Sequence, residues 1–181
     1  NEGRLISNKG LDIDIEDYNT HFVEQHVAHS TALHSVVRER GAYFVGPLAR
    51  FNLDFDKLPE SVRALADEVG VLPPVNNPFK SIVVRSLETL YAVEEALRII
   101  NQYEMPSKPY VEVTPRASTG HGCSEAPRGI LYHRYSLADD GSILTAQIVP
   151  PTSQNQKTIE DDLWKFVEKQ FDLPQAELTI R

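Results

Sequence analysis

The chain has 181 residues, of which 41% are apolar and 24% are charged, and its formal net charge at pH 7 is −8. These values are typical of one globular domain that is large enough to bury a core. The acidic balance excludes generic nucleic-acid binding, which needs a basic surface, and the lack of an 18-residue apolar run excludes a membrane-spanning helix.

The first part of the chain is predicted to form a short strand and then a long helix. Residues Leu11 to Ile15 alternate apolar and acidic side chains, as a half-buried strand does. A helix capped by Asp17 or Asn19 would then run to Arg40, with Gly41 as its C-terminal stop. One stripe of this helix would carry Phe22, His26, His29, Leu33 and Val36.

Two histidines of this predicted helix, His26 and His29, are close enough on its surface to share a metal ion. A ligand set would need further partners. Because both residues lie on the apolar stripe, a core or docking role is the favoured interpretation of the pair.

The middle of the chain is predicted to be helical on both sides of proline-rich connections. The pair Gly46-Pro47 predicts a loop, and Pro59 suits the first residue of a short helix. The longest helix is predicted over 79–103, where Arg85 and Glu88 are spaced to pair on its surface. Its apolar face would consist of Ile82, Val83, Leu87, Leu90, Val93, Leu97 and Ile100.

The last third is predicted to hold a hairpin followed by a helix. Residues 110–113 are expected to be extended and residues 114–127 irregular. Strands over 130–137 and 142–149 are joined by Ala138 to Gly141, where Asp140-Gly141 favours a tight turn. Ser153 or Asn155 would cap a last helix, whose inward face would consist of Ile159, Leu163, Phe166 and Val167. The sequence therefore predicts a single α+β domain over 1–181, helix-rich, with a small antiparallel sheet built on one hairpin.

Arg128 is the first candidate for function. Pro127 restricts the residue before it to extended backbone, and Gly129 permits a sharp turn or a close approach. The guanidinium would therefore stand on a rigid support, where its planar fork of donors could hold a carboxylate or a small anion. A structural ion pair with Glu125 or another acid at the start of a strand is the alternative.

The segment Pro150-Pro151-Thr152 is the second candidate. Two prolines fix the backbone, and the hydroxyls of Thr152 and Ser153 could point donors at an anion at the start of the last helix. The alternative is a strand that simply leads into a capped helix. Because one hairpin separates this segment from Arg128, we expect the two loops to lie side by side.

The single cysteine, Cys123, excludes an internal disulfide and any all-cysteine metal site within this chain. It also favours a reducing, cytoplasmic compartment. With His121 and His133 it matches no established metal motif. A Cys–His nucleophile pair is one interpretation, and a small buried thiol is the other.

One stretch of the chain closely resembles the large subunit of nickel–iron hydrogenases. It comprises Glu-Ala-Pro-Arg-Gly-Ile-Leu-Tyr-His at 125–133, the Asp-Gly hairpin, Val-Pro-Pro-Thr-Ser-Gln-Asn at 149–155 and Ile-Glu-Asp-Asp-Leu at 159–163. Residues 7–12, 46–50 and 85–95 resemble the same family. The Pro-Pro-Thr-Ser-Gln form is similar to the cytoplasmic branch, which passes electrons to nicotinamide or deazaflavin cofactors through partner subunits.

The resemblance implies a role for each matching residue. Arg128 would overhang the open face of the nickel–iron centre and assist hydrogen activation. The walls of that pocket, including the side that holds cyanide and carbon monoxide, would be formed by Ala126, Pro127, Val149, Pro150, Thr152 and Ser153. Gln147 resembles a residue whose backbone carbonyl binds magnesium. A small subunit carrying iron–sulfur clusters and cofactor-reducing subunits would be partners.

One departure from the family concerns the metal ligands. The family holds nickel and iron through four cysteines, in pairs near the two ends of the subunit, and Cys123 matches none of them. The chain is therefore expected to be a central fragment that carries no nickel or iron ligand, holds no cofactor and is inactive in isolation. Two alternatives are a non-catalytic relative, such as a quinone-site subunit of respiratory complex I, and an interaction domain that docks through the His26/His29 helix.

Overall fold

The computed structural model describes residues 3–178, within which helices and antiparallel sheets alternate. The strands are β1 (Arg4–Ile6), β2 (Asp12–Asp14), β3 (Phe22–Gln25), β4 (His34–Val37), β5 (Ser118–Ala126), β6 (Gly129–Leu137) and β7 (Ile143–Val149). The helices are α1 (Tyr18–His21), α2 (Pro47–Asp54), α3 (Glu60–Glu68), α4 (Ser81–Asn101), α5 (Pro151–Glu168) and α6 (Gln175–Leu178). The predicted α+β class is confirmed. No helix in this range has the length and apolar character needed to cross a bilayer.

The predicted hairpin is confirmed as β6 and β7, which pair antiparallel on either side of the Asp140-Gly141 turn. A third strand, β5, extends this sheet in the order β5-β6-β7. The prediction of irregular backbone before Arg128 is wrong, because Ser118 to Ala126 pairs with β6 along its full length. Its two glycines have low strand propensity, but pairing with a neighbouring strand outweighs local preference.

The predicted long helix over residues 19–40 does not form. Only Tyr18–His21 is helical, and β3 and β4 follow as an antiparallel pair in which Phe22 lies opposite Val37. The four-and-three spacing of the apolar residues was a coincidence between two short strands. Gly41, predicted as a helix stop, instead adopts φ +81° in a turn and exchanges backbone hydrogen bonds with Val37.

Three element boundaries also differ from the prediction. Gly46-Pro47 is a helix start instead of a loop: Gly46 is the N-cap, with φ +107°, and Pro47 is the first residue of α2. The last helix, α5, begins at Pro151, so Ser153 and Asn155 lie inside it. Residues 110–113 belong to no strand. The short helix after Pro59 is confirmed as α3.

Two hydrophobic clusters hold the described residues together. One joins α2, α3 and α4 and consists of Leu48, Phe51, Val62, Ala66, Val71, Val75, Val84 and Leu87. The other joins the N-terminal strands to the three-stranded sheet and consists of Leu5, Ile13, Tyr18, Phe22, Tyr132 and Val149. The rings of Tyr18 and Tyr132 stack at 4.0 Å between centroids, which fixes the sheet against α1.

Much of the predicted inward face of α4 and α5 is exposed. On α4 only Leu87 of the predicted set is buried, with Leu90 half-buried. On α5 the side chains of Ile159, Leu163 and Phe166 are 49%, 60% and 43% exposed. The helices are therefore as predicted in type, but the described residues cover only part of their apolar stripes.

Candidate functional site

Pro127 and Arg128 form the two-residue connection between β5 and β6. Ala126 pairs with Gly129 directly across this turn. Gly129 has φ +133°, a conformation that side chains rarely adopt, and a Cβ there would overlap the Val45 side chain. A Cβ on Gly46 would lie 2.5 Å from the Arg128 carbonyl oxygen. The turn therefore packs against the chain just before α2 through two positions that admit only glycine.

Arg50 of α2 holds this turn in place through hydrogen bonds. Its Nη1 donates to the Ala126 carbonyl at 2.9 Å and its Nη2 donates to the Pro127 carbonyl at 3.1 Å. The same guanidinium binds Glu88 of α4 through Nε and Nη2, at 2.7 and 3.0 Å, and Glu125 of β5 through Nη1 at 2.6 Å. One side chain thus fixes the turn to two helices and a strand.

The charges of this anchor are balanced and partly shielded from water. The side chains of Arg50, Glu88 and Glu125 are 20%, 24% and 40% exposed. Although burial lowers it, the hydrogen bonds to Glu88 and Glu125 raise the pKa of Arg50 on balance. Two ion pairs expected from the sequence are wrong. Glu125 binds Arg50 and not Arg128, and Glu88 binds Arg50 and not Arg85.

The first turns of α5 clamp the same end of the sheet from the other side. Asn155 accepts from the Val45 amide at 2.8 Å and donates to the carbonyls of Val45 and Arg128 at 3.1 and 3.3 Å. Gln154 donates to the Ile130 and Val149 carbonyls at 2.6 and 3.1 Å. Both amide side chains are buried, and they bind backbone groups at the end of the sheet where β6 begins and β7 ends.

The two predicted loops do lie together at this end of the sheet. Val149 is the fully buried last residue of β7, and Pro150 is the exposed N-cap of α5. Ser153 is buried, and its hydroxyl donates to the Pro150 carbonyl at 3.0 Å. Thr152 is exposed and makes no side-chain hydrogen bond to a described residue. Of the two hydroxyls weighed from the sequence, that of Thr152 is therefore the one free for a ligand.

Arg128 itself is exposed at the tip of the turn. Its guanidinium makes no hydrogen bond or ion pair within residues 3–178, although its carbonyl is held by Asn155. Because the backbone of the turn is fixed on two sides and the Arg128 guanidinium has no partner within the described residues, its five N–H donors are available to an incoming ligand. This arrangement can bind an anion or a polarisable molecule at one defined place.

Gln147 lies on β7 opposite Arg134, away from the Pro127–Arg128 turn along the strand. Its side-chain amide accepts from Asn19 at 2.9 Å and donates to Glu24 at 3.2 Å. The side chain is therefore occupied by protein partners, and the magnesium role of the Gln147 backbone carbonyl stays a prediction.

No hydrogen bond joins Cys123 to His121 or His133 within the described residues, so a Cys–His nucleophile pair does not form. His121 and His133 each use Nδ1 in a hydrogen bond to a tyrosine, at 3.0 Å to Tyr132 and 2.9 Å to Tyr135. His133 pairs with Gly122 in the ladder and Cys123 pairs with Tyr132, so the cysteine and His133 point to opposite faces of the sheet. Burial and the nearby Glu125 raise the pKa of Cys123 to about 11, which keeps the thiol protonated.

The helical stripe on which His26 and His29 were expected to lie does not form, because both residues lie in the connection between β3 and β4. The docking face expected on that helix does not form either, because the helix is absent from residues 22–40. Sequence reasoning also missed Arg50, Glu88, Gln154 and Asn155 as parts of the site. A signal for the last two was present: Ser153-Gln154-Asn155 is a polar run at a helix start that has to pack against the preceding hairpin.

Three known proteins are similar to this chain as a whole, while no family model matches it. The alpha chain of sulfhydrogenase 1 of Pyrococcus furiosus is 29% identical over 98% of this chain and 43% of its own length. A chain of the vhu F420-non-reducing hydrogenase of Methanococcus voltae is 33% identical over 72% of this chain and 32% of its own length. An NAD+-reducing [NiFe]-hydrogenase in the H2-reduced state has a TM-score of 0.63 at 20% identity, over 87% of this chain and 38% of the other. The chain thus spans less than half the length of these relatives.

Proposed function

Because the chain belongs to the family of nickel–iron hydrogenase large subunits, we propose that it forms one wall of a hydrogen-activating site within a longer subunit. In this proposal Arg128 is the catalytic residue. The surrounding wall consists of Ala126, Pro127, Val149, Pro150, Thr152 and Ser153. The reaction class is the reversible oxidation of hydrogen, an oxidoreductase activity of the intact enzyme.

The observation that carries the proposal is the unpaired Arg128 guanidinium on a turn that is anchored twice. Arg50 holds the turn from α2 and Asn155 holds it from α5. A donor fixed in this way needs little reorganisation when charge develops next to it, and that is the condition under which electrostatic stabilisation is most effective. The exposed Thr152 hydroxyl at the start of α5 adds a second donor where the helix dipole is positive.

The residues of this chain do not themselves fit a nickel–iron centre. The sequence contains one cysteine, Cys123, so a set of four thiolates cannot be assembled from this chain. What this chain supplies is the surroundings: Arg128 and Thr152 donate hydrogen bonds, next to the buried side chain of Val149.

The exposed apolar stripes of α4 and α5 support the proposal that the chain is the central portion of a larger subunit. Side chains such as Leu97 and Ile100 on α4 and Leu163 and Trp164 on α5 are 56% to 67% exposed. Isolated apolar residues are common on protein surfaces, but contiguous patches mark interfaces. The rest of the large subunit would cover them. We also propose that this larger subunit is cytoplasmic and assembles with a small subunit that carries iron–sulfur clusters and with cofactor-reducing subunits. In this proposal the backbone carbonyl of Gln147 binds a magnesium ion.

The test is an Arg128→Lys variant of the intact hydrogenase that contains this chain. Lysine keeps the charge but loses the planar fork, so we expect hydrogen uptake to fall by roughly 10²–10³-fold, as when one fixed donor is removed from an active site. Nickel and iron content should be unchanged. Arg116→Lys, at an exposed position outside the site, is the matched control. Full uptake activity in Arg128→Lys would refute the role given to Arg128.

A further inference from the structure

Three potential metal ligands from separate parts of the sequence meet where α5 packs against β4. His29 comes from the connection between β3 and β4, His34 is the first residue of β4, and Glu160 lies on α5. One ligand atom from each lies within 4.8 Å of the other two. His29 Nε2 is 3.0 Å and His34 Nε2 is 3.4 Å from the same oxygen, Oε1 of Glu160.

His34 is the unusual member of this group. Its side chain is 1% exposed, and neither ring nitrogen has a hydrogen-bond partner in the described part of the chain. The contact with Glu160 is close enough for an ion pair but lacks hydrogen-bonding geometry. Because a buried polar group without a partner is destabilising, an imidazole held this way and aimed at a carboxylate requires an explanation.

The spacing of the three ligand atoms suits a tetrahedral cation. Ligands about 2.0–2.1 Å from a zinc ion stand roughly 3.3–3.4 Å apart. Two of the three separations, at 3.0 and 3.4 Å, are already close to that value. The third can close through His29, whose side chain is 64% exposed and belongs to a connection between strands. Gln156 donates to the shared Glu160 oxygen at 3.3 Å and helps to orient it.

We propose that His29, His34 and Glu160 bind one divalent transition-metal cation of the zinc type, with water as the fourth ligand. Two imidazoles and one carboxylate favour zinc, nickel, cobalt or copper over magnesium and calcium, which prefer oxygen ligands alone. The cation pairs with the orphaned His34 nitrogen and fastens the connection between β3 and β4 to α5.

The experiment uses the 181-residue chain and zinc chloride in a calorimetric titration, with cobalt absorption as a second readout of tetrahedral geometry. We expect one zinc per chain, no competition from excess magnesium, and a higher midpoint of thermal unfolding with zinc present. His34→Ala risks misfolding because His34 is buried. The informative variants are therefore His29→Asn and Glu160→Gln, at positions that are 64% and 31% exposed.

Each of these two variants should weaken zinc binding by roughly a hundredfold, since the loss of outer-shell partners alone costs 10–100-fold. His26→Asn, in the same connection but outside the cluster, and Cys123→Ser are the matched controls and should bind as the parent chain does. The proposal is overturned if the parent chain binds no zinc. It is also overturned if His29→Asn and Glu160→Gln bind normally, or if His26→Asn weakens binding as much as His29→Asn.

Discussion

Replacing Arg50 by methionine tests whether one guanidinium holds the Pro127–Arg128 turn in place. Methionine has a similar length but removes five hydrogen bonds, two to Glu88, one to Glu125 and two to backbone carbonyls. It leaves both carboxylates without the partner that compensated them, so the loss should exceed that of a surface ion pair.

The size of the expected loss of stability depends on how exposed the paired side chains are. Exposed ion pairs contribute about 0.2–1 kcal/mol, and breaking a buried pair costs about 3–5 kcal/mol. The side chains of Arg50 and Glu88 are 20% and 24% exposed, closer to the buried case. We therefore expect Arg50→Met to lower the free energy of unfolding by about 3 kcal/mol.

Urea denaturation of the 181-residue chain, followed by circular dichroism, measures this loss. With a slope of about 2 kcal/mol per molar urea, the midpoint should fall by roughly 1.5 M. A double-mutant cycle with Glu88→Gln should give a coupling of about 1–2 kcal/mol between the two side chains.

Arg98→Met is the matched control, because Arg98 makes a comparable bidentate pair with Glu95 but is 54% exposed. It should cost less than about 1 kcal/mol. If Arg50→Met costs no more than Arg98→Met, or if no coupling to Glu88 is found, Arg50 does not anchor the turn.

Three further predictions concern the same end of the sheet. Asn155→Ala leaves buried backbone groups of Val45 unpaired and should cost about 2–3 kcal/mol in urea denaturation, whereas an unchanged midpoint would contradict the clamp. Gly129→Ala should lower the free energy of unfolding by at least about 3 kcal/mol, because φ is +133° and the new Cβ would overlap Val45. Gly122→Ala has open space around it and should change the free energy of unfolding by less than about 1 kcal/mol. Equal losses would show that the close approach of Gly129 to Val45 is unimportant. The pKa of the Cys123 thiol is raised from 9.0 to about 11 in the folded chain, so its contribution to stability is complete below pH 9 and is lost as the pH rises from 9 to 11. Alkylation by iodoacetamide at pH 8 should accordingly be roughly a hundredfold slower in the folded chain than in urea, and similar rates would disprove the shift.

The sequence by itself determined the elements whose signals are local. The Asp140-Gly141 turn and the alternating strands beside it specify a hairpin because turn geometry and side-chain alternation are encoded within a few residues. The short helix after Pro59 and the helix over 81–101 were also predictable, because their signals lie within a few residues of each helix. Pro127 and Gly129 also restrict the backbone around Arg128 without reference to any other part of the chain.

Tertiary structure decided whatever depends on which segments meet. The segment from Phe22 to Val37 has helical spacing, but pairing between β3 and β4 overrides it, and β5 is a strand only because β6 lies beside it. Arg50 and Asn155 reach the turn from positions 77 and 27 residues away in sequence, and no local pattern specifies such a contact. The sequence could therefore single out Arg128 as a candidate, whereas only the packing of α2 and α5 against the sheet revealed what holds its backbone in position.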